Sequence, residues 1–361
     1  MKNVLVTGGA GFIGANFVRF LLQAEPEVQV VNLDALTYAG SLENIKDLPT
    51  PERHTFVHGD ICDRLLLDGL LRHHRIDTIV HFAAESHVDR SILGPAQFVQ
   101  TNVVGTFTLL DAARLYWLEE KSLPGEALRF HHVSTDEVFG ALTADEPAWV
   151  ESTPYSPHSP YSATKAASDH LVRAYYHTYK LPVTLTNCSN NYGPYQFPEK
   201  LIPLMILNAL DGRPLPIYGD GGQVRDWLYV EDHCEAIWMV LSKGKIGETY
   251  NIGGGNQPTN LSVVMTLCEI LDELLPSSPH APHEKLLQFV TDRPGHDRRY
   301  AMDITKINQE LGWQPRESLS SGLSKTVQWY LKHPDWIGAI RKQHDYQGWL
   351  KRNYAQRGDK K

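Results

Sequence analysis

The chain has 361 residues, and its 34 Lys plus Arg against 42 Asp plus Glu leave a formal charge of −8, which argues against a nucleic-acid partner, since such domains tend to be basic. A hydrophobic share of 42% with 10% aromatics excludes disorder as the main state, and roughly 100–200 residues per domain suggests two domains. No apolar stretch approaches the roughly 18 residues of a membrane span, no signal peptide fits the first residues, and Cys62, Cys188, Cys234 and Cys268 lie too far apart for a disulfide framework, so a cytoplasmic protein with no membrane partner is expected.

The first half alternates short β-branched runs with longer amphipathic stretches. Strands are expected at Asn3–Thr7, Gln29–Asp34, His54–Gly59, Thr78–Ala83, Arg129–Ser134 and Val183–Asn187. Between them, Gly11–Leu22 and Asn102–Tyr116 carry apolar residues at helical spacing. Repeated strand-helix-strand units of this kind make an α/β, doubly wound parallel sheet of six strands. After about residue 188, proline, glycine and turn-formers take over. Helices still fit Asp232–Leu241 and Ser262–Leu275, and Pro276–Lys285 reads as a loop. The expected division is a dinucleotide domain over 1–188, rejoined by part of 226–250, and a smaller substrate-binding domain over 189–361.

The segment Thr7-Gly8-Gly9-Ala10-Gly11-Phe12-Ile13-Gly14 follows the first strand and opens the first helix. Gly8, Gly11 and Gly14 let backbone approach a pyrophosphate, and the helix N-terminus offers it free N–H groups. Asp34, 20 residues after Gly14, ends the second strand, where its carboxylate suits ribose hydroxyls and repels a 2′-phosphate. That favours NAD over NADP. Asp60-Ile61 after the third strand and Phe82-Ala83-Ala84-Glu85-Ser86 after the fourth would meet the rest of the dinucleotide, although Asp60 could equally cap the helix near Arg64.

Tyr161 and Lys165 are four apart at the start of a helical run and project from one face. A nearby ammonium and a nicotinamide's positive charge would both favour phenolate, turning Tyr161 into a base; without the glycine motif the pair would read as a surface contact. Ser134-Thr135-Asp136-Glu137 ends the fifth strand at the sheet's carboxyl edge. Thr135 can donate to a substrate oxygen, and adjacent carboxyls can divide into acid and base. In a continuing strand Asp136 and Glu137 would face opposite ways, so the pair works only if the chain bends there; otherwise it is a solvated acidic turn.

With these motifs in place, the chain resembles the extended short-chain dehydrogenase/reductase family and, within it, the dTDP-glucose 4,6-dehydratases. The resemblance runs from Thr7 to about Asp303 through Thr7–Gly14, Ala83–Asp89, Ser134–Gly140, Tyr161–Lys165, Asn187–Pro194, Lys200–Pro203, Pro216–Gly222, Arg225–His233 and Asp292–His296. The Thr-Asp-Glu run is its specific part, because epimerases of the family usually lack the acid pair. Phe139 stands where the family more often has tyrosine.

The resemblance implies a Rossmann-type fold with NAD as cofactor, dTDP-glucose as substrate and a homodimer formed through helices of the large domain. It implies that Tyr161, aided by Lys165 and Thr135, removes the 4-hydroxyl proton, that Glu137 takes the C5 proton and that Asp136 protonates the departing C6 hydroxyl. Leu36, Thr37, Thr101 and Asn191 join the cofactor residues by the same likeness. Ser86 and Asn190 would meet sugar or phosphate, Lys200, Arg225 and Arg293 the diphosphate, and Pro216, Ile217 and Tyr218 the base. Leu201, Asn260, Asp292, Pro294, Gly295 and His296 would complete the pocket. The alternatives are a related UDP- or GDP-sugar dehydratase or 4-epimerase, and a dinucleotide sensor that could dispense with Tyr161, Lys165 and the acids. The pairs His73-His74, His131-His132 and His280/His283 have no carboxylate or thiol spacing around them, and no metal is expected.

Overall fold

A computed structural model describes residues 1–121, 125, 128–292, 296–342 and 348. Its frame is a sheet of seven parallel strands: β1 (Asn3–Thr7), β2 (Gln29–Asp34), β3 (His54–His58), β4 (Thr78–His81), β5 (Arg129–Thr135), β6 (Val183–Cys188) and, after three short strands, β10 (Thr249–Ile252). The order is β10-β6-β5-β4-β1-β2-β3, so the winding reverses between β1 and β4. Ligands of open α/β sheets bind at such a reversal, outside the carboxyl ends of the strands. Runs such as Val4-Leu5-Val6 and Thr78-Ile79-Val80-His81 are buried because helices cover both faces, which is why they read as continuous rather than alternating.

One face carries Phe12–Ala24 and Val230–Lys243, which meet through Phe17, Leu21 and Leu22 against Ile237, Val240 and Leu241. The other carries Arg64–His73, Thr106–Arg114 and Pro160–Tyr179, packed on Leu5, Ile79, Phe130 and Leu185. Trp117 anchors that layer, its indole donating to Ile76 O at 2.7 Å. The second half supplies β7 (Asn190–Tyr192) beside β9 (Trp227–Tyr229) and β8 (Leu215–Tyr218) beside β11 (Leu287–Val290). Its own core gathers Ile202, Ile206, Val263, Leu267, Leu323, Tyr330 and Trp336.

The expected strands lie within two residues of the observed ends. The seventh strand was not foreseen, since Thr249-Tyr250-Asn251-Ile252 is four residues long and fully buried, too short for a period to show. Asn102–Tyr116 is helical but only Thr106–Arg114 is regular; wider turns at Val99–Gly105 and Leu115–Glu120 flank it. The loop at Pro276–Lys285 closes on a short helical turn, His283–Leu286. Among the described residues, no helix is long and apolar enough to cross a membrane.

The helix bearing Tyr161 and Lys165 starts on a reciprocal cap. Ser159 Oγ accepts from Ser162 N and Ser162 Oγ accepts from Ser159 N, both at 3.0 Å, with Pro160 in the first turn. Ser159→Ala should therefore cost about 1 kcal/mol of stability, read as a lower denaturation midpoint with unchanged slope.

Candidate active site

A cavity of about 460 Å³ opens at the winding reversal, walled on one side by the loops after β1 to β6 and on the other by residues of the second half. The glycine loop forms its floor. Gly8 has φ +73°, and a Cβ there would lie 2.6 Å from Ala83 N; at Gly14 it would lie 2.2 Å from Gly8 O. These positions admit no side chain, so strand, loop and helix pack at backbone distance. No side chain caps the following helix, leaving its first N–H groups for an anion; Phe12, Ile13 and Gly14 line the wall there.

Asp34 is buried and accepts from Ala10 N at 2.9 Å and Leu36 N at 2.8 Å. Burial pushes its pKa up and these amides pull it back. A carboxylate has about four acceptor positions, so room remains beside these amides for a ribose hydroxyl. Leu36 does not line the cavity: its backbone, at φ +50°, turns the loop onto Asp34. Asp60 lines the cavity and accepts from Cys62 N at 2.8 Å, while the cap of Arg64–His73 is Asp63. Thr37, Ile61, Phe82, Ala83, Ala84, Ser86 and Thr101 share the same wall.

At the reacting end the chain does bend. β5 stops at Thr135, whose hydroxyl accepts from Glu137 N at 3.2 Å and caps a helical turn, Asp136–Phe139. The turn brings Asp136 and Glu137 to one cavity wall with Tyr161 and Lys165. Asp136 is 2% exposed. Burial first, then the charges of Glu137 and Asp226, push its pKa well up against Arg225 and the Thr135 hydroxyl. The Tyr161 phenol is also pushed up, by burial and by Glu137, with Thr135 hydrogen-bonded to it in the opposite sense. The expected phenolate is thus not favoured by the protein's own groups, because burial and the charges of Glu137, Cys188 and Asp136 outweigh the Thr135 hydrogen bond. The Lys165 ammonium donates to Val133 O at 2.9 Å and is lowered by burial.

The far wall holds Asn190, Asn191, Lys200, Leu201, Pro216, Ile217, Tyr218, Arg225, Asn260 and His296. Arg225 is buried, donates to Val224 O and Asp297 O at 2.8 and 2.9 Å, and lies 4.0 Å over the Tyr300 ring. Asp292 stands outside the wall, holding His296 Nδ1 at 2.6 Å and Gln223 Nε2 at 2.7 Å. Arg293, Pro294 and Gly295 lie outside the described residues. Asn190 Oδ1, Asn260 Oδ1, Ser189 Oγ and Asp136 Oδ2 are buried without a hydrogen-bond partner among the described residues, a pattern that fits a wall built for a polar ligand.

Tyr38, Cys188, Glu199 and Trp227 also line the cavity and were not among the expected site residues. Glu199 is buried with Arg90 at 3.2 Å, and the Arg90 guanidinium lies 3.8 Å over the Tyr38 ring. The signal for Glu199 was a carboxylate next to Lys200. Among the described residues no three His, Cys, Asp or Glu gather to hold a metal ion. His131 sits between the Thr184 and Thr186 hydroxyls at 2.9 and 3.2 Å, and burial pushes its pKa down to about 3.

The family described as "GDP-mannose 4,6 dehydratase" matches residues 5–326. A dTDP-glucose 4,6-dehydratase of Neisseria gonorrhoeae is 59% identical over 91% of this chain and 96% of its own. One from Shigella flexneri is 54% identical over 98% and 99%. The chain belongs to the dTDP-glucose 4,6-dehydratase family. A solved member from Streptomyces venezuelae, with NAD bound, is 48% identical and superposes with a TM-score of 0.84 over 94% of this chain and 100% of that one.

The Asp34 geometry gives a test within this family. Asp34→Ala removes the anchor of the glycine loop and the carboxylate expected to meet the ribose, so NAD binding should weaken and its advantage over NADP should narrow in a titration; an unchanged preference would free Asp34 from that role.

Proposed function

We propose that the chain dehydrates dTDP-glucose to the 4-keto-6-deoxy sugar nucleotide, with NAD as a retained cofactor. The observation that carries this reading is the Thr135 turn, which sets an acid and a base on the wall that already holds Tyr161 and Lys165, below a cradle fit for a dinucleotide. The names of relatives more than half identical over nearly the whole chain support dTDP-glucose as the substrate. Residues 1–188 with part of 226–250 would hold NAD, and 189–361 the sugar nucleotide.

NAD, when bound, supplies a hydride acceptor that later returns the hydride, and a positive ring that opposes the neutralising effect of burial on Tyr161. Tyr161 takes the proton of the 4-hydroxyl, with Lys165 favouring its phenolate and Thr135 sharing a hydrogen bond. The 4-ketone acidifies C5. Glu137 then takes the C5 proton, while Asp136, kept protonated by its burial and acidic neighbours, gives a proton to the C6 hydroxyl as it leaves as water. Arg225 and Lys200 meet the diphosphate, and Asn191 the cofactor. Lys200 Nζ is steadied by Ser86 O at 3.3 Å, and Asn191 Oδ1 by His233 Nδ1 at 2.9 Å.

The same proposal includes a homodimer and a cytoplasmic setting. Ile92, Leu93, Val99, Val104 and Phe107 are exposed along the stretch leading into Thr106–Arg114, an apolar strip suited to a second copy. The four cysteines are free, as a reducing compartment would keep them.

Mass spectrometry of product from dTDP-glucose, seeking loss of one water, tests the activity directly, and a panel of UDP- and GDP-sugars tests the base. Tyr161→Phe should abolish both reduced cofactor and product. Glu137→Gln should still oxidise C4 yet slow elimination by roughly 10²–10⁴, so reduced nicotinamide absorbance builds up and solvent deuterium enters C5 slowly. Normal water loss in that variant would move the C5 base elsewhere. Arg225→Ala should raise KM about tenfold or more, as loss of a charge-assisted contact worth roughly 1.5–3 kcal/mol, with a smaller effect on kcat.

A further inference from the structure

Beneath the reacting end lies a carboxylate with no part in the chemistry above. Asp169 is on the helix Pro160–Tyr179, one turn beyond Lys165, and is 0% exposed. Its Oδ2 accepts from Ser134 Oγ at 2.9 Å, Tyr155 Oη at 2.8 Å and Asn187 Nδ2 at 3.3 Å, and its Oδ1 lies 3.1 Å from His132 Nε2. Three donors on one oxygen and a ring nitrogen beside the other are what an ionised carboxylate needs in a dry interior. Burial opposes its charge, but His132, Lys165 and Ser134 hold its pKa below the ordinary value. Burial pushes His132 down to about 4, so at neutral pH the ring is uncharged, its Nε2 beside Asp169 Oδ1.

Two lines lead from this carboxylate to the site. The first is electrostatic. Lys165 is 5% exposed, and its described hydrogen bond is to a neutral carbonyl, Val133 O. The titratable groups that act on it or feel its charge are Asp169 on its own helix, Cys188 on β6, His132 on β5 and His81 on β4. Of these, Asp169 does most to favour the ammonium. Tyr155 and Arg173 face Asp169 from its other side, Arg173 donating to Tyr155 Oη at 2.8 Å. The second line is mechanical. Ser134 precedes Thr135, and Asn187 Nδ2 also donates to Thr135 O at 3.1 Å, so the group that binds Asp169 also fixes the strand end from which the Asp136–Phe139 turn departs.

We propose that Asp169 is a positioning residue for the Tyr161–Lys165 pair: its buried carboxylate is the countercharge of the Lys165 ammonium, and its bonds to Ser134 and Asn187 pin the end of β5. The inference rests on the dehydratase reading. Asp169 acts on Tyr161 through Lys165, so removing its charge makes the ammonium harder to keep as pH rises, and the phenolate then loses its cationic neighbour.

The test is the pH profile of dTDP-glucose turnover by the full chain with NAD bound. In Asp169→Asn the basic limb of kcat should move down by about one pH unit, which lowers kcat about tenfold at a pH above the limb and lets it recover below it, with KM within about twofold of wild type. Tyr155→Phe loosens the same cluster without removing the charge, and its limb should stay at the wild-type pH. If Asp169→Asn does not fold, Asp169→Ser, which leaves room for a water, is read in the same way. A folded variant whose limb stays in place, or whose kcat falls equally at every pH, overturns the inference. Wild-type protein that takes no water from dTDP-glucose overturns the dehydratase reading instead.

Discussion

The reacting end of the cavity depends on one hydroxyl. Thr135 ends β5 in extended geometry and then accepts from Glu137 N, so the chain leaves the strand as a helical turn rather than as further strand. A strand would send successive side chains to opposite faces of the sheet. The turn instead puts Asp136 and Glu137 on one wall, and the same hydroxyl touches Asp136 Oδ1 at 3.2 Å and the Tyr161 phenol. One small side chain thus sets backbone direction and polar contact together.

Burial then sorts the groups by proton affinity. Asp136, Tyr161 and Lys165 are all pushed toward their neutral forms by loss of water, and each is corrected by a different neighbour: Arg225 for the acid, Thr135 for the phenol, Asp169 for the ammonium. A dry pocket makes each correction count for more than it would at the surface. Acid and base can therefore sit side by side in sequence without sharing a role.

The cofactor end works by geometry more than by charge. Gly8 and Gly14 bring strand, loop and helix to backbone contact, and Asp34 ties Ala10 and Leu36 to the end of β2. That carboxylate serves the loop's shape and, in the proposed function, a ribose as well. The reacting end is held from below in a similar way, where β5, β6 and the helix bearing Tyr161 meet on Asp169.

The sequence by itself determined the parallel sheet, the glycine cradle, Asp34 and the Tyr161–Lys165 spacing, because these are local: a period of two or 3.6, a strand-glycine-helix order, and residues four apart on one face. It also named the Thr-Asp-Glu run, but it left open whether the chain bends there, and only the folded turn decided that. Tertiary structure alone brought in Glu199 beside Arg90 and Tyr38, moved Leu36 and Asp292 to supporting positions, added the short strand Thr249–Ile252, and placed Asp169 under Lys165 in contact with Ser134, Tyr155 and Asn187. These features join residues far apart in the chain, and their charge states follow from burial, which no local spacing encodes.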